Sequence, residues 1–371
     1  MNYKYYPMAS RINDFLQLPR IIYIDIENKD PENKINLKNI SDEKYIELIT
    51  KIHRYLLPIK HELEVFYMDD LLSNFDFFML ISRLNPFINY KSEIEYLNAL
   101  LQLSEQEIKK SMVFSILMND EENDENRESI LKDAEVIANN KNQILSFIKD
   151  LQIDAKYKWN LFVIIEEPLK YIKVYVELMK SLLPFFEQIY TPYVEEVQKY
   201  GSYLEEIFNK QGSLAIEKLS FGTLNANLID ENRSIILVSL IFAFSLSIKG
   251  DLYYDHLIWG IKMEEAFKQI NEMDENRLNH RIQVFKNLGD KTRYEVLKLI
   301  ASGITSTKEI ANTLGVSSAT ISYHINTFLT SKIIKLDNSN RKFSYIVDFD
   351  LLDQIWRDLL SDLKSPHLLE K

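Results

Sequence analysis

The chain has 371 residues, a net charge of −11, 46% hydrophobic and 27% charged residues: a globular composition, long enough for two domains. It holds no Cys, which excludes disulfides, thiolate metal sites and cysteine nucleophiles. With only 8 Gly and 9 Pro, long helices are expected rather than a many-turned β fold.

The first residues, MNYKYYPMASRINDFLQ, set no apolar run behind their positive charge and do not read as a signal peptide. RIIYIDI (Arg20 to Ile26) is expected as a strand, followed by a polar loop. Helical periodicity starts after Ser41, the expected helix start, with Tyr45, Ile46, Ile49, Ile52, Leu56 and Leu57 on one stripe. Further helices are expected at 76–84, 91–103, 104–118 and 128–151, with an acidic connector, NDEENDENRES, at 119–129. From Trp159 to Lys210 the pattern is helical and aromatic, with breaks or kinks expected at Pro168, Pro184 and Pro192. The aromatic residues read as packed core; an apolar pocket for a small organic effector is the functional alternative.

Between Ser213 and Ile261 the pattern changes to short strands: SLAIEKL, TLNANLI, SIILVSLIFAFSLSI and LYYDHLIWGI, with KGD (Lys249 to Asp251) as a hairpin turn. Ile235 to Ile248 is the most apolar stretch, yet shorter than the about 20 residues a membrane-spanning helix needs, so it reads as buried strand. These observations predict a chain that does not enter the membrane and resides in the cytoplasm. A long helical stretch then leads, without a Pro/Gly linker, into a basic segment. From Asn276 onward there are 14 Lys/Arg against 10 Asp/Glu, a net of +4 that leaves −15 for the rest. A small basic module behind a large acidic one is a footprint of nucleic-acid binding.

In that module the expected order is four helices, two strands and a helix. DKTRYEVLKLIASG has Asp290 as N-cap and Gly303 as stop. STKEIANTLG opens on Ser306 with Glu309 three residues on, the pattern of a reciprocal capping box. Gly315 allows a sharp turn, and Ser317 is placed to cap the next helix. In that helix Ile321, Ile325 and Leu329 recur at i, i+4, i+8, with Phe328 and His324 beside them. Ala319, Tyr323 and Asn326 fall on the far side, and Ser318, Thr320 and Ser322 on the flanks. A first turn of small hydrogen-bonding residues suits a helix end that enters the major groove. SKIIKLDNSNRKFSYIV then reads as strand, polar turn, strand, with Ile333, Ile334 and Leu336 in the first strand. Lys335, Arg341 and Lys342 put positive charge on or near the hairpin tip, suited to phosphate.

The segment from Asn287 to Val347 resembles the winged helix-turn-helix of the ArsR family of bacterial transcriptional regulators. Leu288, Asp290, Thr292 and Arg293 match the family's L-x-D-x-T-R start. Glu309 to Ile325 match E-[IL]-A-x-x-L-G-[VL]-S-x-[AS]-T-[VI]-S-x-H-[IL] at nearly every fixed position. The front region is similar in arrangement to a Firmicute-type subgroup with a long N-terminal domain. The resemblance implies groove-facing positions at Ser318, Ala319, Ser322 and Tyr323, and wing positions at Lys335, Arg341 and Lys342. It implies a structural share for Thr320 and His324, and a homodimer joined through a helix at Phe349 to Leu363. Many relatives carry Arg where Tyr323 stands; Tyr cannot make the bidentate guanine contact, so A·T-rich sites are expected.

Other chemistries find little support. There is no Walker A loop, G-x-G-x-x-G or G-x-S-x-G, and no carboxylate is singled out, so no enzyme is expected. His61 in HELE does not build the H-E-x-x-H zinc signature, and no metal or other cofactor is expected. The expected fold is mainly α with a small β component: a large α+β N-terminal domain, 1–275, for effector sensing or oligomerisation, then a winged helix-turn-helix domain, 276–371. The expected function is a sequence-specific DNA-binding regulator, a dimeric repressor acting on double-stranded DNA and tuned by a non-thiolate small-molecule effector. The alternative is a winged-helix module that binds protein rather than DNA.

Overall fold

The computed structural model describes residues 3–24, 42–68, 75–119, 126–229, 233–275, 277–337 and 344–363. The described residues are mainly helical with two small sheets, the expected class. Its contacts divide it into two compact units. The first takes the described residues up to Gly212 together with Ile229–Met263; the second takes Ser213–Leu228 and the chain from Glu264 onward.

The first unit begins with α1 (Pro7–Gln17), α2 (Glu43–Leu56), α3 (Lys60–Leu63), α4 (Phe77–Ser82), α5 (Glu93–Leu100) and α6 (Glu105–Leu117). It continues with α7 (Arg127–Ala138), α8 (Lys141–Asp150), α9 (Ala155–Glu166), α10 (Pro168–Tyr190) and α11 (Val194–Gln211). A three-stranded sheet follows: β1 (Ser234–Ser239), β2 (Leu246–Gly250) and β3 (Asp255–Gly260), in the order β1-β3-β2. β3 runs parallel to β1 and antiparallel to β2. Lys249 and Gly250, expected in the hairpin turn, are the last residues of β2, and the turn lies at Asp251–Tyr254, where Asp251 N donates to Tyr254 O at 2.8 Å.

Several local expectations give way. The strand expected from Arg20 to Ile26 is not found in its described part: Leu18–Tyr23 form a 3-10 helix, and the residues past Ile24 lie outside the described set. Pro19 sets the first turn of that helix, and the buried Arg20 guanidinium lies 3.1 Å from the buried Asp76 carboxylate. A fully buried apolar run carries no period that separates strand from helix. The N-cap of α2 is Asp42, whose carboxylate accepts from Tyr45 N at 3.0 Å; Ser41 lies outside the described residues. The single helix expected at 128–151 is two, because Asn140 caps α8 by accepting from the N–H groups of Asn142 and Gln143. Pro168 opens α10 and Pro192 sits in the short turn after it, but α10 continues through Pro184.

The apolar run at 235–248 is likewise two strands with a break. The buried Asp14 carboxylate holds the break, accepting from Ser239 Oγ at 2.5 Å and Leu240 N at 2.7 Å. Burial pushes the Asp14 carboxyl up to about 7, against the lowering effect of these hydrogen bonds.

The second unit contains α12 (Leu214–Leu219), α13 (Met263–Glu275), α14 (Arg277–Leu288), α15 (Lys291–Ala301), α16 (Thr307–Leu314) and α17 (Ser318–Thr330). β4 (Ile334–Asp337) and β5 (Ser344–Val347) form a hairpin, and α18 (Phe349–Asp362) closes the unit. SLAIEKL and TLNANLI, expected as strands, are instead α12 and a 3-10 turn at Ala226–Leu228. Glu217 supplies the reason, since its carboxylate accepts from Ala226 N at 2.9 Å and folds the segment back on α12. One core unites Val284, Val296, Ile300, Ile310, Ile321, Ile325, Phe328, Ile333, Val347 and Ile355, so every helix from α14 to α18 contributes to it.

Candidate nucleic-acid interface

Three short helices build the interface, and each begins on a side chain that caps it. Asp290 accepts from Arg293 N at 2.8 Å to start α15. That hydrogen bond, together with nearby Arg293 and His324, holds the Asp290 carboxyl below its usual range despite partial burial. Ser306 accepts from Glu309 N at 3.4 Å to start α16. Among the described hydrogen bonds only this half of the expected capping box is present. Ser104 and Glu107, by contrast, close a full box on α6. Gly315 then takes the left-handed conformation at φ 69°, ψ 31°, a position that favours glycine, and Val316 N donates back to Ala311 O.

Ser317 caps α17: its Oγ accepts from Thr320 N at 3.0 Å and shares a hydrogen bond with Thr320 Oγ1 at 2.8 Å. Both hydroxyls are thus engaged in shaping the helix end. Ile321, Ile325 and Phe328 are buried, as the spacing predicts, while Leu329 is half-buried. His324 is also buried, at 8% exposure, beside the Tyr323 ring. Ser318 and Asn326 are exposed; Ala319, Thr320, Ser322 and Tyr323 are half-buried. The helix carries no Asp, Glu, Lys or Arg, so its first turn offers free backbone N–H groups and small polar side chains without a fixed opposing charge.

In the hairpin, Lys335 stands opposite Ile346, and Leu336 opposite Tyr345. The Lys335 ammonium lies 2.6 Å from Asp348, whose other oxygen accepts from Leu351 N at the start of α18. Part of the Lys335 charge is therefore neutralised within the unit, which the sequence did not reveal. Arg341, Lys342 and the tip of the hairpin lie outside the described residues. Among the described residues no three His, Asp or Glu side chains are grouped to hold a metal ion.

The arrangement is that of a helix-turn-helix followed by a hairpin wing. Residues 288–337 match the family model of a helix-turn-helix domain. The chain carries a helix-turn-helix domain. At a coarse level this makes it a DNA-binding transcription regulator. The matched stretch runs from the end of α14 to β4 and includes the whole of α15, α16 and α17. No curated protein and no solved structure matches the chain. No described helix is long and apolar enough to cross a membrane.

Proposed function

We propose that the protein is a cytoplasmic, sequence-specific regulator of the ArsR type that binds duplex DNA as a homodimer and represses transcription. In this reading 276–371 is the DNA-binding domain, and 1–275 sets oligomeric geometry or senses an effector; neither is catalytic. The observation that carries the reading is α17. It has a Ser317 cap, an uncharged first turn with Ser318 exposed, and Ser322 and Tyr323 partly open one turn on. Those groups suit base edges, and the free N–H groups at the helix start suit phosphate. Lys335, Arg341 and Lys342 are assigned to the neighbouring backbone.

The test is selection of bound fragments from a random duplex library by the full chain. A repressor dimer returns a two-fold symmetric motif with half-sites about 10 bp apart. Recovery of no enriched sequence would leave the protein-binding alternative. One observation favours that alternative: Tyr294, Ile346, Phe349 and Trp356 of the same unit are exposed apolar side chains, and Lys335 is already paired.

A further inference from the structure

The second unit contains a half-open pocket of about 400 Å³, within the size range of small-molecule sites. Its wall comes from two distant parts of the chain. One is the loop at Gly222 and Thr223, which follows α12; the other is formed by α14, the end of α17, β4 and α18. Arg281, Lys332 and Lys335 bring three positive charges to the wall against two carboxylates; Asp348 lies 2.6 Å from Lys335 and Asp358 3.9 Å from Arg281, which leaves a net charge of +1. Ile334 and Ile355 supply apolar floor.

Backbone strain is concentrated here. Among the described residues two non-glycine positions have positive φ, Phe221 at 51° and Lys332 at 55°. Lys332 lines the pocket, and Phe221 directly precedes Gly222, which lines it from the other side. Each stands one residue past a helix C-cap, Ser220 of α12 and Ser331 of α17, where a left-handed residue closes the helix and fixes the direction of the chain that forms the wall. Hydrogen bonds hold both turns. Gly222 N donates to Glu217 O at 2.7 Å, and Ser220 Oγ accepts from Leu224 N at 3.0 Å. On the other wall, Lys332 N donates to Leu329 O and Ile333 N to Phe328 O. Thr223 Oγ1 is buried at this wall and has no hydrogen-bond partner among the described residues, an uncommon state for a hydroxyl.

We propose that this pocket binds a small organic anion, a phosphate or carboxylate group on a compact apolar body. The anionic group meets Arg281 and Lys332, and the body lies on Ile334 and Ile355. The ligand then bears on the turn at Ser331 and Lys332 that ends α17 and opens the wing. That turn is tied to α14 by His280 Nε2, 2.9 Å from Ser331 O, and by Asn287 Nδ2, which donates to Ser331 Oγ at 2.9 Å. Regulation of DNA affinity through this turn rests on the DNA-binding reading; occupancy of the pocket does not.

The experiment is isothermal titration calorimetry on the full chain at fixed ionic strength, with phenyl phosphate and benzoate as probes and phenol as their neutral counterpart. One anion binds saturably and about tenfold tighter than phenol, as expected for charge-assisted recognition. Arg281→Gln with Lys332→Gln weakens it by about tenfold, and Lys173→Gln, on an exposed face of α10, leaves it unchanged. If circular dichroism finds the double variant unfolded, Lys332→Gln alone carries the test through a several-fold loss. Absence of saturable binding for both anions, or binding unchanged by the pocket variants, overturns the proposal. The titration contains no DNA, so its failure leaves the DNA-binding reading standing. A pocket that fills while no duplex is bound fails that reading alone.

Discussion

The two units are stabilised over very different chain distances. In the helix-turn-helix unit the decisive ties are local: Asp290 to Arg293, Ser306 to Glu309, Ser317 to Thr320, and a hairpin between adjacent strands. In the front unit they run across the chain. Asp14 reaches Ser239 to Ile241, Val238 N donates to Ser10 Oγ at 3.0 Å, and Tyr5 N donates to Glu205 at 2.7 Å. Arg127 likewise binds Asp255 and the backbone of Asp251. The helix starts of the unit that carries the recognisable motif are therefore set by near neighbours, while Asn287 and His280 add two longer ties, from α14 to Ser331. The acidic unit is specified by buried polar groups whose partners are far away in sequence.

The sharpest way to break this contrast is to remove one such distant polar tie. Arg20→Met deletes the guanidinium 3.1 Å from the buried Asp76 and is expected to cost about 3–5 kcal/mol. Urea unfolding followed by the emission of the buried Trp259 checks it. In the other unit the matching loss is apolar. Phe328→Ala, at a fully buried position, is expected to cost about 3–5 kcal/mol. Hydrogen exchange should then speed up in α15 to α17 and stay unchanged in β1 to β3; a loss shared equally by both would dissolve the contrast.

Asp14 makes the distant ties sensitive to pH. Its folded value of about 7 lies above that of an ordinary carboxyl, so the native state holds the proton more tightly. The contribution is full below the unfolded value and is lost as pH rises towards 7, by about 1 kcal/mol per pH unit. Asp14→Asn cannot titrate. The stability of the variant relative to the parent should rise between pH 4 and 7, measured by denaturation at each pH. The smallest effect belongs to a local tie: Ser317→Ala removes the cap of α17 and is expected to cost about 1 kcal/mol in thermal unfolding.

The same contrast explains what could be read in the sequence. The order of elements from α14 to α18, the buried stripe at Ile321, Ile325 and Phe328, and the turn at Gly315 all follow from spacing within a few residues. The 3-10 helix at Leu18–Tyr23 and the break after Ser239 depend on Asp76 and Asp14, which no local pattern connects to them. Residues 213–228 depart from the expected strands for a related reason. Their apolar spacing suits a strand, but Glu217 reaches nine residues forward to Ala226 and closes a compact loop. At the interface the exposure of Ser318 and Asn326 was legible. The pairing of Lys335 with Asp348 was not, because it joins the hairpin to the start of α18.

The most direct measurement of the central claim is duplex binding by fluorescence anisotropy, at several salt concentrations and against scrambled competitor. The account predicts binding that resists the competitor, weakens steeply with salt, and falls by about tenfold or more in Ser322→Ala with Tyr323→Ala. Equal affinity for both duplexes, or specific binding that the double variant leaves intact, would contradict the assignment of α17 as the reading helix.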